Sequence, residues 1–197
     1  MTKEVVLVEV VNYLSLSPNS GNMKSTKWFD RKFDFSAQQN NFPSIIERLR
    51  GTPARLEERC RAIPESWLKT NSDNSWSIKE NIGHLTDLEP LWQGRLDDIK
   101  SGKEDLRPTD LANRKTDEAG HNAKSLNQLL RDFRKARAET IAMIEGLDED
   151  MIFRSALHPR LKTPMRTMDH FLFVAEHDDH HLARITELMR IFERGGL

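Results

Sequence analysis

The stretch FVAEHDDHHLARI, residues 173–185, places three histidines within five positions of a segment that has helical periodicity. Because an α-helix advances by about 100° per residue, His177, His180 and His181 share one arc of the helix, and Phe173 lies in the same arc. His177 and His181 lie in the middle of the apolar stripe, and His180 lies at its edge. The stretch therefore predicts a helix that packs in a core with its histidines inside.

Two interpretations of these buried histidines stay open at this point. Neutral imidazoles in an apolar core lose their hydration unless something provides partners for their ring nitrogens. The i,i+4 spacing of His177 and His181 allows both side chains to bind one metal ion, and His180 is a weaker third ligand. The same spacing also occurs in core histidines that only form hydrogen bonds.

A second segment, SIKENIGHLTDLEPLW (residues 77–92), provides a further candidate ligand on another helix. Its start has the spacing of a capping box, which already explains Glu80. His84 points inward from a mostly apolar stripe, and Asp87 lies one turn away, where it can hydrogen-bond a ligand imidazole or a bound water. A metal site between the two helices would therefore combine His84 with His177 and His181. The remaining histidines (His121, His158 and His170) lie in or near connectors and are predicted to be structural or solvated.

The same reasoning along the chain predicts four long helices. They cover residues 43–63 (kinked at Gly51 and Pro53), 77–101, 125–146 and 163–192, with a longer crossover between the second and third and a connector over 147–163. This pattern favours an all-α four-helix bundle, with an irregular orthogonal helical fold as the alternative.

Length and composition limit the classes of function. The 197 residues suffice for one domain, which we place at 40–197 after a partly ordered N-terminal extension, 1–39. Lys and Arg total 30 against 31 Asp and Glu, so we expect no nucleic-acid partner, and RDFRKAR (131–137) is interpreted as a solvated helix face. A single cysteine, Cys60, is interpreted as core packing and fits a cytoplasmic location. The apolar run 5–16 is too short to span a membrane, and it is interpreted as an edge strand or a weakly ordered tail.

Two motifs together resemble the DinB-like superfamily: WSIKENIGHLTD at 76–87 and FVAEHDDHHLARI at 173–185. The resemblance extends over about residues 40–192. It implies a four-helix bundle, a divalent metal (often nickel or zinc) held by His84, His177 and His181, and frequent homodimers. Relatives of this kind include metal-dependent transferases and isomerases that use low-molecular-weight thiols such as bacillithiol or mycothiol.

Two functions follow as hypotheses. In the first, the protein is a metal-dependent enzyme, thiol S-transferase-like or hydrolase-like, that acts on a small-molecule substrate. Asp87 or His180 would orient groups or carry a proton, and Arg184 would bind an anionic substrate. In the second, the metal only joins two helices in a non-catalytic stress-response or interaction module. The tryptophans Trp67, Trp76 and Trp92 either wall a pocket or fill the core.

Overall fold

The structure, a computed structural model, describes residues 26–72 and 75–195. These residues form seven α-helices and one two-stranded antiparallel sheet: α1 (Phe42–Cys60), α2 (Glu65–Leu68), α3 (Ile78–Lys100), α4 (Arg114–Glu118), α5 (Leu126–Ile144), α6 (Glu149–Phe153), β1 (Ser155–Leu157), β2 (Pro164–Arg166) and α7 (Thr167–Gly195). The predictions made on residues 1–25 lie outside the described residues.

The four long helices form the bundle that the sequence predicts. Helices α1 and α3 each pack against both α5 and α7, so α1 lies diagonally opposite α3. The connection 101–125 is the longest of the three and joins α3 to its neighbour α5. It contains α4 and a 3₁₀ turn (His121–Ala123) that pack against α3. The all-α four-helix bundle is therefore confirmed.

Helix starts follow their capping residues. The Ser77 hydroxyl accepts a hydrogen bond from the Glu80 backbone N–H at 3.2 Å, and the Glu80 carboxylate accepts one from the Ser77 N–H at 2.7 Å. At the start of α5, the Ser125 hydroxyl accepts from the Gln128 N–H at 3.2 Å. A capping box there would also need the Gln128 side-chain oxygen to accept from the Ser125 N–H. That oxygen accepts from Arg131 instead, so only half of a capping box forms at α5. These caps fix where α3 and α5 enter the bundle.

The last helix begins at Thr167, four residues later than predicted. Residues 164–166 form β2 instead, and β2 pairs with β1 so that Ala156 lies opposite Met165. Both of these side chains are buried, which gives the hairpin an apolar face toward the core. The connector predicted over 147–163 contains the short helix α6 and the strand β1, and no helix forms at His158.

Helix α1 continues through Pro53 without interruption, and it ends at Cys60 rather than at Ile63. Proline has no N–H to donate to the carbonyl four residues earlier, which is that of Leu49. The Arg137 guanidinium donates to this carbonyl at 3.3 Å. A partner from α5 therefore replaces the hydrogen bond that Pro53 cannot make.

Arg137 is the exception among the basic residues of the solvated face predicted for residues 131–137. It is 1% exposed and its guanidinium binds Glu89 of α3 and Asp178 of α7 at 2.6 and 2.5 Å. The charge is buried because two carboxylates from neighbouring helices neutralise it.

Two apolar clusters fill the bundle, one built around Leu49, Leu96 and Phe171 and the other around Leu56, Phe133 and Leu188. Cys60 lies in the second cluster, where burial raises the pKa of its thiol to about 12. An inert packing role for this cysteine agrees with the prediction. Among the described residues, no helix combines the length and hydrophobicity of a membrane span.

Candidate metal centre

Helices α3 and α7 bring three histidines together in the bundle. His84, His177 and His181 each offer a ring nitrogen within 4.8 Å of the others, and all three residues are buried. Their ring centroids lie 4.5–5.3 Å apart. Among the described residues no carboxylate, cysteine or fourth histidine joins this group.

Hydrogen bonds determine which nitrogen of His84 is free. Its Nδ1 lies 2.9 Å from the Thr116 hydroxyl, and that hydroxyl donates its one hydrogen to the Asp87 carboxylate at 2.9 Å. The hydroxyl must therefore accept a hydrogen bond from His84 Nδ1–H. This leaves a lone pair on Nε2, which is the form that a metal ligand needs.

The same logic applies to His181. Its Nδ1 lies 2.9 Å from the Asn81 side-chain oxygen. The Asn81 amide nitrogen donates to the backbone carbonyls of Trp76 and Ser77 at 3.2 and 2.8 Å, which fixes the oxygen toward the histidine. His181 therefore carries its proton on Nδ1 and presents the lone pair of Nε2.

The third ring, that of His177, is held by packing against an aromatic side chain and by contact with His181. Its Nδ1 has no partner among the described residues, and its ring stands nearly perpendicular to the indole of Trp28 at 5.0 Å between centroids. Its Nε2 lies 3.2 Å from Nε2 of His181. Two imidazole nitrogens bound to one tetrahedral zinc ion are about 3.4 Å apart, so this spacing fits a shared ion. The donor set of three imidazoles therefore suits a divalent metal.

The burial of the cluster keeps these imidazoles neutral. Desolvation lowers the pKa of His84 to about 4 and lowers the pKa values of His177 and His181 well below 6.5. Neighbouring histidines act in the same direction on His177 and His181. At neutral pH all three rings are therefore uncharged, which metal binding requires.

The cluster forms part of the wall of a cavity of about 370 Å³. Aromatic side chains form much of the rest of this wall: Trp28, Trp76, Trp92 and Phe173. Such a volume and such a lining are typical of small-molecule sites.

Comparison with known proteins agrees with this geometry. The family model described as the DinB superfamily matches residues 48–185, which is more than half of the chain. The chain belongs to the DinB superfamily. No curated protein matches the sequence.

Three solved structures share the fold of this DinB chain. The first is YfiT from Bacillus subtilis, described as a probable metal-dependent hydrolase with an unusual four-helix bundle topology. It has 21% identity and a TM-score of 0.72, with 83% of this chain and 94% of YfiT covered. An uncharacterized protein from Clostridium difficile 630 has 13% identity and a TM-score of 0.60, with 80% and 98% covered. The mycothiol-dependent maleylpyruvate isomerase has 11% identity and a TM-score of 0.57, with 72% of this chain and 59% of the isomerase covered.

The three residues predicted to assist the metal differ in where they lie in this DinB domain and in what they contact. Asp87 was predicted to hydrogen-bond a ligand imidazole or a bound water, and in the structure Thr116 lies between its carboxylate and His84. His180 lines the cavity beside His181 and is half-buried, and desolvation lowers its pKa. Arg184 also lines the cavity, where its guanidinium binds Glu187 at 2.7 Å and the Ser75 hydroxyl at 2.6 Å.

The three histidines predicted to be structural or solvated are all buried. His121 donates from Nε2 to the Asp87 carboxylate at 2.8 Å, and its ring packs against Gly83 so closely that a Cβ there would lie 2.3 Å from it. His170 binds the Trp92 carbonyl at 3.1 Å. His158 lines the cavity itself.

Sequence reasoning missed several residues of the site. Thr116 and His121 come from the connection 101–125, whose polar composition gives no signal of proximity to α3. Trp28 lies in the segment that we assigned to the N-terminal extension, and it packs on His177 and Phe173. Of the three tryptophans considered, Trp76 and Trp92 line the cavity, whereas Trp67 packs on Phe192 away from it.

Proposed function

We propose that this chain is a divalent-metal-dependent enzyme of the hydrolase or thiol S-transferase type that acts on a small molecule in the cavity. The observation that carries the proposal is the convergence of three neutral imidazoles on the wall of a cavity large enough for a substrate. A structural metal site is normally closed by four protein ligands, whereas a catalytic one keeps a position for substrate or water. Three ligands beside an open cavity favour the catalytic type.

His84, His177 and His181 are the residues that would hold the ion, with zinc or nickel as the candidates. An ion held by three neutral imidazoles keeps its full charge and lowers the pKa of a water molecule or thiol that it binds. The second substrate would then be water in a hydrolase or a low-molecular-weight thiol in a transferase.

The surrounding side chains would position the ligands and handle protons. Asp87 fixes Thr116, and through it the ring of His84, while Asn81 fixes His181. His180 is half-buried at the cavity, so its imidazole can exchange a proton between a bound molecule and solvent. Glu187 and Ser75 bind part of the Arg184 guanidinium, and its remaining N–H groups would contact the substrate. We also propose a cytoplasmic homodimer, as is frequent among DinB-like proteins.

Turnover by metal-loaded protein tests this function. Protein depleted of metal and reloaded with zinc or nickel is assayed on a panel of esters and amides without thiol, and on a panel of electrophiles with bacillithiol, mycothiol or glutathione. We expect metal-dependent turnover in one panel, lost in His84→Ala. Thiol dependence assigns the transferase class. Full metal binding without turnover in either panel would favour the non-catalytic module instead.

A further inference from the structure

A second group of polar side chains lines the same cavity away from the metal ligands. It consists of Arg95 from α3 and of His158 and Arg160 from the loop between β1 and β2. We call these three residues the basic cluster. The members influence one another electrostatically, since each arginine lowers the pKa of His158, with burial as the larger cause. The basic cluster thus adds two guanidinium groups to the cavity that Arg184 also lines.

Arg95 is a buried cation that has no carboxylate partner within residues 26–72 and 75–195. It is 1% exposed, and its Nε donates to the Arg107 carbonyl at 3.1 Å while Trp92 packs against its guanidinium. Its Nη2 has no partner among the described residues. The nearby Asp98 carboxylate is already bound by Lys103 and by Arg107.

Arg137 provides a comparison, because it is a buried arginine whose charge does have carboxylate partners. Its guanidinium binds two carboxylates, those of Glu89 and Asp178, and it does not line the cavity. Buried charges are expected to have such partners. The absence of one at Arg95, among the described residues, therefore indicates a ligand rather than a structural role.

The protonated ring nitrogen of His158 faces another hydrogen-bond donor, and a hydrogen-bond acceptor beside the two would satisfy both. Its Nδ1 accepts hydrogen bonds from the backbone N–H groups of Arg160 and Leu161, both at 3.2 Å, so the proton of the neutral ring is on Nε2. That Nε2 lies 3.1 Å from Nη1 of Arg95. Two donors thus face each other, and an oxygen atom beside them could accept from both.

Arg160 brings the second charge. Its guanidinium lies over the Phe29 ring at 5.3 Å, and its Nη2 is buried without a partner in the described part of the chain. No carboxylate among those residues forms an ion pair with it. The one carboxylate in the cavity lining, Asp110, is bound by Arg114 and by backbone N–H groups.

We infer that Arg95, His158 and Arg160 form an anion subsite that binds the carboxylate of a small organic acid whose other end faces the three histidines. Guanidinium groups bind carboxylates in planar, paired geometry. The aromatic wall next to the basic cluster suits an apolar body, and the volume limits the ligand to a compact molecule. The subsite is inferred from these three residues alone, whereas its role in a reaction rests on the proposed function.

Calorimetric titration of the full-length protein with benzoate and with its neutral isostere benzamide tests the subsite. We expect benzoate to bind at least about tenfold more tightly than benzamide, because each charge-assisted hydrogen bond is roughly twice as strong as a neutral one. Arg160→Gln should remove that preference. Arg95→Gln should do the same, with thermal unfolding as a check on folding. Arg131→Gln, which removes an exposed charge outside the cavity, should leave benzoate binding unchanged.

Two further arms separate this inference from the proposed function. Benzoate binding should persist in the presence of a metal chelator, and also in the His177→Ala variant, because the subsite does not use the metal. Loss of benzoate binding in both would place the carboxylate on the metal and overturn the subsite. Inorganic phosphate that binds as tightly as benzoate would overturn the assignment to carboxylates. Absence of benzoate binding, or indifference to both arginine substitutions, would overturn the subsite itself. Retained benzoate binding in a protein without metal or turnover would refute only the proposed function.

Discussion

At the scale of single residues, one hydroxyl group connects His84, a proposed metal ligand, to the rest of the domain. Thr116 accepts from the His84 ring and donates to Asp87, which His121 also contacts. Its side chain is buried, so no solvent competes for these bonds. The hydroxyl selects the tautomer of His84 that leaves Nε2 free.

Thr116→Val should therefore weaken metal binding while preserving the shape of the residue. Loss of a group that orients a metal-binding histidine typically lowers affinity by about 10–100-fold. Competition for zinc with a chromogenic chelator measures the change. Thr116→Ser keeps the hydroxyl and should bind within about threefold of the wild type, and equal affinities for the valine and wild-type proteins would refute the orienting role.

The three clustered histidines could be predicted from sequence, but the groups that hydrogen-bond to them from the connection 101–125 could not. Helical angles place His177 and His181 on one face, the apolar stripe of residues 77–92 adds His84 from another helix, and the resemblance implies the same three residues. Thr116 reaches His84 through the conformation of a polar connection, 32 residues away in the chain. Such a conformation depends on turns and tertiary contacts, including the close approach of His121 to Gly83, that have no periodic signature.

At the scale of secondary-structure elements, Arg137 joins all four long helices. From α5 it binds Glu89 of α3 and Asp178 of α7, and it donates to the α1 carbonyl that Pro53 leaves without a partner. Asp178 also accepts from the Thr52 hydroxyl at 2.8 Å. The polar network therefore fixes the mutual positions of α3 and α7, the helices that carry the three clustered histidines.

Arg137→Ala should lower the free energy of unfolding by about 3–5 kcal/mol, because it leaves two buried carboxylates without their counter-charge. Urea denaturation measures the loss. The matched control is Arg134→Ala on the same helix, whose partner Glu57 is at the surface, and the expected loss there is about 0–1 kcal/mol. Similar losses in the two variants would contradict a special role for the buried network.

The starts of α3 and α5, which have a local capping signal, were predicted well. The start of α7, which depends on the pairing of two strands, was not. Ser77 with Glu80 and Ser125 with Gln128 mark α3 and α5 because a cap is a contact between residues three positions apart. The start of α7 depends on β2, which exists only because β1 pairs with it across a loop. That pairing is tertiary, so the pattern Thr163–Pro164 was wrongly interpreted as a helix start.

At the scale of the whole molecule, buried neutral histidines make stability dependent on pH. Desolvation lowers the pKa of His158 to about 4 and that of His170 to about 3. In the unfolded chain each titrates near pH 6.5, as a free histidine does. Their contribution is therefore fully present above about pH 6.5 and is lost as the pH falls toward the folded-state values.

Unfolding free energies of metal-depleted protein at pH 7, 6 and 5 should fall by up to about 1.4 kcal/mol per pH unit for each such histidine. His170→Gln keeps a donor toward the Trp92 carbonyl and removes one titrating group, so its stability should fall less steeply with acid. Urea titrations of both proteins provide the comparison. Parallel curves for variant and wild type would show that His170 protonates as readily in the folded as in the unfolded state.

The central claim is that His84, His177 and His181 hold a divalent ion inside the bundle. Elemental analysis of protein prepared without a histidine tag, with zinc and nickel supplied, tests it most directly. We predict about one ion per chain in the wild type and in His170→Gln, and less than about a tenth of an ion in His177→Ala. Equal metal content in wild type and His177→Ala, or a wild-type protein that binds neither metal, would contradict the account.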